Sequence, residues 1–229
     1  MPFTFSHPAI VLPLKNTFGK WLSLTGLIIG SLTPDFEYFL RMKIQSEYSH
    51  TLVGTIWFNL PLGILLCFLF HNIIKKSLIE NSPKFIQSRT MELKELNWKK
   101  HFKENWIIVC VSIIIGAYSH IFWDSFTHSN SFFTNYFSLD RKVFNTQISI
   151  FKILQHLSTL IGGIIILWYF LKLEKNKIEY TQPNIKYWII IAILTISILG
   201  IRIALGLKVT EYGNVIVSGI TAGMISITL

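Results

Sequence analysis

An all-α, polytopic membrane helix bundle is the fold class the sequence predicts, on three observations. Of its 229 residues, 51% are hydrophobic and only 14% are charged, the mean hydropathy is +0.48, and the uncharged residues fall in runs long enough to cross a bilayer. An average soluble chain carries about 25% charged residues. Disordered and fibrous classes need more polarity or a strict Gly/Pro period, which 13 Gly and 7 Pro do not supply. A single membrane-embedded domain over residues 1–229 is expected.

The elements follow in order. Met1–Leu14 and Trp21–Pro34 are uncharged but only 14 residues each, and Lys15–Lys20 separates them. They read as a short N-terminal helical hairpin, the start of a hairpin and site loop over residues 1–50. The first charge is Lys15, and no basic stretch precedes an apolar core and cleavage site, so this segment is expected to remain in the mature protein. Thr51–Phe70, Trp106–Trp123, Ile153–Leu171, Tyr187–Ile201 and Tyr212–Leu229 each run 15 to 20 residues without Asp, Glu, Lys or Arg. At about 1.5 Å per residue against a hydrocarbon core of about 30 Å, each spans a bilayer with its flanks. About five transmembrane helices are therefore expected, with a C-terminal helical pair over residues 185–229. Small residues four apart, Gly26/Gly30 and Gly219/Gly223, would let helices approach closely.

The net charge of +9 resides mostly between these runs. Lys75–Asn105 carries eight Lys/Arg against four acids, and Lys172–Lys186 carries four against two. The positive-inside rule makes both linkers cytoplasmic, the first a basic linker over 75–105, and it places Lys15 and Lys20 with them. The nearly neutral segments around Arg41/Lys43 and Asp124–Lys152 then lie on the other side, so Lys84 and Lys177 are expected inside and Asn130 outside. This charge sets topology rather than binding nucleic acid, and the expected partner is membrane lipid. Cys67 and Cys110 sit inside apolar runs, so neither a disulfide framework nor a Cys-based zinc site is expected.

The topology brings His7, His50, His120, His128 and His156 to the extracytoplasmic ends of their segments and leaves His71 and His101 on the other side. Asp35 and Glu37 close the hairpin that His7 opens. In the stretch Ser119–His128, a continuing helix would set His120, Asp124 and His128 at i, i+4 and i+8, one stripe of one face. Side chains a turn apart can reach one ion while a carboxylate bridges to a second. His plus carboxylate without Cys favours a catalytic, zinc-type divalent site over a structural one. With His7, Asp35, Glu37 and His50 the ligands exceed what one ion needs, so two or three ions are expected. The bland alternative is that these are interfacial polar residues, as Trp21, Trp57, Trp106, Trp123 and Trp188 are expected to be. Against it, a carboxylate among Ile121, Phe122, Trp123 and Phe126 is costly near a membrane unless paired or ligating.

The opening Met1–Ala9, the string Gly30–Phe39, Ser49-His50-Thr51 and Ser119–His128 together resemble the bacterial membrane family called domain of unknown function 4184, over nearly the whole chain. More distantly, the chain is similar to inner-membrane proteins classed as metal-dependent hydrolases, which share an N-terminal His, a Pro-Asp-x-Asp string, a Thr-His-Ser string and His-x3-Asp. The order of ligands also resembles zinc-dependent phospholipase C and related single-strand nucleases. By that resemblance His7, Asp35, His50, His120, Asp124 and His128 match trinuclear-zinc ligands, and His156 would supply a later one. Glu37 stands where the hydrolases have a second Asp, and Leu160 stands where the phospholipases have the Glu of a His-x3-Glu pair.

These readings converge on a membrane-embedded metal-dependent hydrolase of phosphoester bonds in lipid or lipid-linked substrates. It is expected in the bacterial inner membrane with its site near the extracytoplasmic face. Asp35 and Glu37 are the expected catalytic carboxylates, and His7, Asp35, His50, His120, Asp124, His128 and His156 the expected metal ligands. The alternative is a non-enzymatic membrane protein with a structural or sensed metal, or a metal carrier. A carrier should place its ligands near the bilayer midplane.

Overall fold

A computed structural model describes residues 3–143, 146–176 and 180–229; the expectation for Lys177 lies outside the described residues. In chain order the helices are α1 (Pro8–Phe18), α2 (Leu24–Leu32), α3 (Phe36–Arg41), α4 (Leu52–Glu80), α5 (Lys84–Lys94), α6 (Trp98–Asp124), α7 (Phe132–Tyr136), α8 (Ile150–Lys172), α9 (Ile185–Ala204) and α10 (Tyr212–Thr228). Among the described residues there is no strand, only an isolated bridge between Lys142 and Ser149. The chain is a helical membrane bundle. Helices α4, α6, α8 and α9 are long and apolar enough to cross a membrane, while α10 is apolar but has only 17 residues, a rise of about 26 Å. The basic stretch 75–105 is not an open linker: it comprises the end of α4, all of α5 and the start of α6. Asn105, with φ −131° and ψ 23°, kinks α6 where the apolar run begins.

The chain groups into two compact units, one of Met1–Pro34, Tyr48–Ile64 and Asn105–Lys172, the other of Asp35–Glu47, Leu65–Glu104 and Leu173–Leu229. In the first, α2 crosses α6 with backbones in contact. A Cβ on Gly30 would lie 2.2 Å from the Ile113 carbonyl oxygen, and one on Gly116 would lie 2.4 Å from the Leu27 oxygen and 2.6 Å from the Ser31 nitrogen. A Cβ on Gly26 would meet Ser112 Cβ and the Val109 carbonyl oxygen, each at 2.9 Å. The Gly26/Gly30 pair is thus a helix-crossing device. Among the described residues Gly219/Gly223 has no such crossing: nothing lies within 4 Å of a Cβ on Gly223, and Gly219 meets only the tip of Leu199 at 4.0 Å. Gly162 of α8 receives Ser6 at 2.9 Å.

In α4 the span Thr55–Asn59 is a π turn, closed by the Leu60 N–H on the Thr55 carbonyl. Pro61 explains it, because the ring cannot donate to Trp57 and would clash with that carbonyl in a regular α-helix. A second π turn covers Phe70–Ile74.

In the second unit α9 pairs with α10, and α10 holds α3. Thr221 Oγ1 donates to the Phe39 carbonyl at 3.0 Å and Ser218 Oγ to that of Met42 at 3.0 Å. The segment before α9 is fastened to α5, where Gln87 Nε2 donates to the Thr181 carbonyl at 2.9 Å.

Candidate metal centre

The centre is built in the first unit around Asp124, the last residue of α6, whose side chain is 7% exposed. Four imidazoles surround the carboxylate. His120 Nε2 lies 3.2 Å from Oδ2, His128 Nδ1 3.5 Å and His50 Nε2 3.6 Å from the same oxygen, and His7 Nε2 is 3.5 Å from Oδ1. The His7 and His120 rings stack with centroids 3.7 Å apart and planes 14° from parallel. His50 meets His120 edge-on at 5.4 Å.

Each ring is placed by local structure. His7 ends the 3-10 turn Thr4–Ser6 and precedes α1, with Pro8 at the first helical position, where its fixed φ suits the helix start. That turn is moored to α8: the Phe3 N–H donates to Thr159 Oγ1 at 3.0 Å and Ser6 Oγ to the Thr159 carbonyl at 3.2 Å. His50 precedes Thr51, which caps α4 by accepting the Gly54 N–H at 2.9 Å. Asn59, brought round by the π turn, donates to the Ser49 carbonyl at 2.7 Å, and Ser49 Oγ lies 3.2 Å from His50 Nδ1. His120 sits one turn beyond Gly116, and the helix crossing there lets its Nδ1–H donate to the Ser31 carbonyl at 2.7 Å.

The helix stops at Asp124, so His128 does not extend the stripe as another turn of α6. The Thr127 and His128 N–H groups both donate to the Asp124 carbonyl at 3.0 Å, as does His128 Nδ1–H at 3.1 Å. Burial holds the His128 imidazole below its usual range, against the opposing pull of Asp124. Ser131 Oγ, at 2.6 Å from the His128 carbonyl and 2.9 Å from that of Ser125, pins this turn.

Donation of the His120 Nδ1–H to Ser31 leaves the lone pair of the neutral ring on Nε2, pointing at a carboxylate oxygen. Two lone pairs at 3.2 Å repel unless a cation lies between them. A proton is a poor answer: charge-assisted N–H···O contacts run about 2.7–2.9 Å, all four contacts are longer, and two stacked imidazoles resist joint protonation. A metal ion is a better one. Ligands bonded at about 2.0–2.2 Å in a tetrahedron are about 3.3–3.6 Å apart along its edges, against the 3.2–3.6 Å seen. His50, His120 and Asp124 each offer a ligand atom within 4.8 Å of the others. A metal-bound His typically donates its other N–H to a carbonyl or carboxylate, which fixes its tautomer, as His120 does. This His/Asp cluster could therefore hold a divalent ion. The side chains of His50 and His128 are 22% and 30% exposed, so the cluster is open on their side.

The remaining expected site residues lie as follows. Asp35 is fully buried and ends the 3-10 turn Thr33–Asp35 that continues α2, four residues along the chain from Ser31. Glu37, in the second unit, has its carboxylate engaged locally. Arg41 Nε donates to Oε1 at 3.0 Å, as does the Glu47 N–H, and Ser46 Oγ donates to Oε2 at 3.1 Å. It closes the loop after α3. His156 is exposed on α8, where its neighbour Gln155 turns inward and donates to the Thr127 carbonyl at 3.2 Å. The supporting groups Ser31, Gly116 and Asn59 carry no metal-ligand signature. Gly116 alone left a trace, as a small residue one turn before His120.

The chain belongs to the family described as Domain of unknown function (DUF4184), whose model matches residues 1–229. No curated protein and no solved structure matches it.

Proposed function

We propose that this member of the family is a membrane-embedded, metal-dependent hydrolase that cleaves phosphoester bonds in lipid or lipid-linked substrates. One observation supports it above others: a buried carboxylate with the Nε2 atoms of three imidazoles, His7, His50 and His120, at metal-ligand spacing, open on one side as a catalytic site requires and a closed structural site does not. A divalent ion of the zinc type held by His7, His50, His120 and Asp124 would polarise a phosphoryl oxygen and lower the pKa of a bound water. His120, locked by Ser31, and His50, steadied by Ser49, fix the orientation of the donor atoms. Asp35, one turn past Ser31 on the same stretch of chain, is the carboxylate we assign as the general base, receiving a proton on a carboxylate oxygen. Lys/Arg asymmetry supports a bacterial inner-membrane location with the site at the extracytoplasmic face.

Elemental analysis of the purified protein, run beside a panel of glycerophospholipids and lipid-linked phosphates assayed in detergent, tests the reading. Wild type should carry zinc or manganese and turn over a phosphoester. Asp35→Asn should keep the metal and lose at least about 10²-fold in rate, and Asp124→Ala should lose both. Retained metal without turnover, with Asp124→Ala merely unstable, would make the metal structural and end the hydrolase reading.

A further inference from the structure

Within the first unit, beside the carboxylate cluster, lies a cavity of about 280 Å³. Ile10 of α1, Phe122 and Trp123 of α6, Phe126 just beyond it, and Leu154 and Ser158 of α8 form most of its wall. It adjoins the cluster through the chain itself: Trp123 and Phe126 flank Asp124, and Ile10 is one helical turn after His7, whose carbonyl accepts its N–H at 3.2 Å. Thr127 completes the wall; among the described residues no charged group lines it, and its polar side chains are only the hydroxyls of Thr127 and Ser158, so the wall is predominantly apolar.

The aromatic wall is rigid. Phe126 stacks on Phe133 with centroids 4.4 Å apart and meets Phe122 edge-on at 5.4 Å. Phe122 is half exposed, as are Leu157 and Ile161 on the neighbouring flank of α8. Little of the apolar stretch of α8 is buried, so in a bilayer that flank contacts acyl chains, and Phe122, which both lines the cavity and is half exposed, carries the wall out to the surface. Its volume falls just below the about 300–1,000 Å³ of a site for a whole small ligand, which suits a segment of one chain.

We infer that this cavity takes one hydrocarbon chain of a membrane lipid whose phosphate head group rests at the Asp124 cluster. Resting on the hydrolase reading, this makes the substrate class a chain-bearing phosphoester that enters sideways from the bilayer. Water-soluble phosphoesters would be poor substrates. Ser158 and Leu154 set how much chain the cavity admits.

The test uses the full-length protein in nanodiscs of phosphatidylglycerol carrying a diazirine midway along one acyl chain. After irradiation and digestion, cross-links should concentrate on peptides containing Ile10, Phe126 and Leu154 relative to the exposed α9 face around Ile190 and Ile193. Ser158→Trp, which fills the cavity, should cut them about tenfold, since a close-packed interior has no room for both. Leu154→Phe is the milder filling variant and should reduce them in the same direction should Ser158→Trp fail to fold. Cross-links spread evenly over all apolar faces, or unmoved by both variants, overturn the inference. Metal content measured on the same samples separates the two readings. Concentrated cross-links without metal remove the metal site and keep the chain site, whereas metal with even cross-linking removes the chain site alone.

Discussion

Gly116→Ala is the sharpest probe of how the centre is held. The added Cβ would stand 2.4 Å from the Leu27 oxygen and 2.6 Å from the Ser31 nitrogen, where ordinary contact begins at 3.4 Å. Both neighbours are backbone, so no rotamer change relieves the clash, and α2 and α6 must separate by about 1 Å. The His120–Ser31 bond, now 2.7 Å, would stretch to about 3.7 Å and cease to be a hydrogen bond. Overpacking should cost about 1–3 kcal/mol, and losing the group that orients a metal-binding His should lower metal affinity by about 10–100-fold. Zinc titration by competition with a chelator, with thermal unfolding in detergent, reads both effects. Gly163→Ala on α8 is the control: nothing lies within 4 Å of its Cβ, and Ala for Gly in a helix should be neutral or stabilise by up to about 1 kcal/mol. If Gly116→Ala binds zinc and melts like Gly163→Ala, the backbone crossing does not position the centre.

Asn59→Leu removes the donor to Ser49, so His50 loosens and zinc affinity should fall about tenfold, measured by the same competition; unchanged affinity would show that His50 holds itself. Glu37→Gln breaks the Arg41 pair and loosens the loop after α3, so unfolding in detergent should show a loss of about 1–2 kcal/mol. Metal content and turnover should hold in Glu37→Gln, and a collapse of turnover at full metal content would return Glu37 to catalysis. Topology is checked with Ser129→Cys and Lys84→Cys in intact cells. Ser129 replaces Asn130 because Asn130 has φ 58°, a conformation that favours Asn or Gly. An impermeant thiol reagent should reach position 129 from outside and position 84 only after permeabilisation, and the reverse pattern inverts the orientation.

How much of this was legible in the sequence depended on the kind of interaction. His120 and Asp124 could be read because i, i+4 on a long apolar run needs only helical period to bring two side chains together. His128 could be named but not placed, because the turn that reverses it onto Asp124 depends on Ser131 reaching two carbonyls. The two acids of Pro34-Asp35-Phe36-Glu37-Tyr38 looked equivalent. Two residues apart on a helix they point about 200° from each other, and Arg41, four after Glu37, was the sign that Glu37 had a local partner. Ser31 acts through its backbone carbonyl, a group every residue carries, so no pattern of residue types reveals it. Gly26/Gly30 and Gly219/Gly223 share one motif and differ only in whether a second backbone lies against them.

The two π turns of α4 answer a problem of phase. Every fourth residue from Thr55 to Ile79 is buried, yet an α-helix turns about 400° in four residues, so such a row would wind about 240° around the helix over its length. A π turn adds a residue without adding a turn and takes back about 100°. The turns at Thr55–Asn59 and Phe70–Ile74 therefore straighten the row to within about 40°. The helix thereby keeps its buried row on one side from Thr55 to Ile79. Deleting a single residue at either π turn would restore a regular helix and swing everything beyond it by about 100°. Deletion at the first turn would part Thr55 from Gly63, and deletion at the second would part Gly63 from Lys75, although no remaining side chain had been changed.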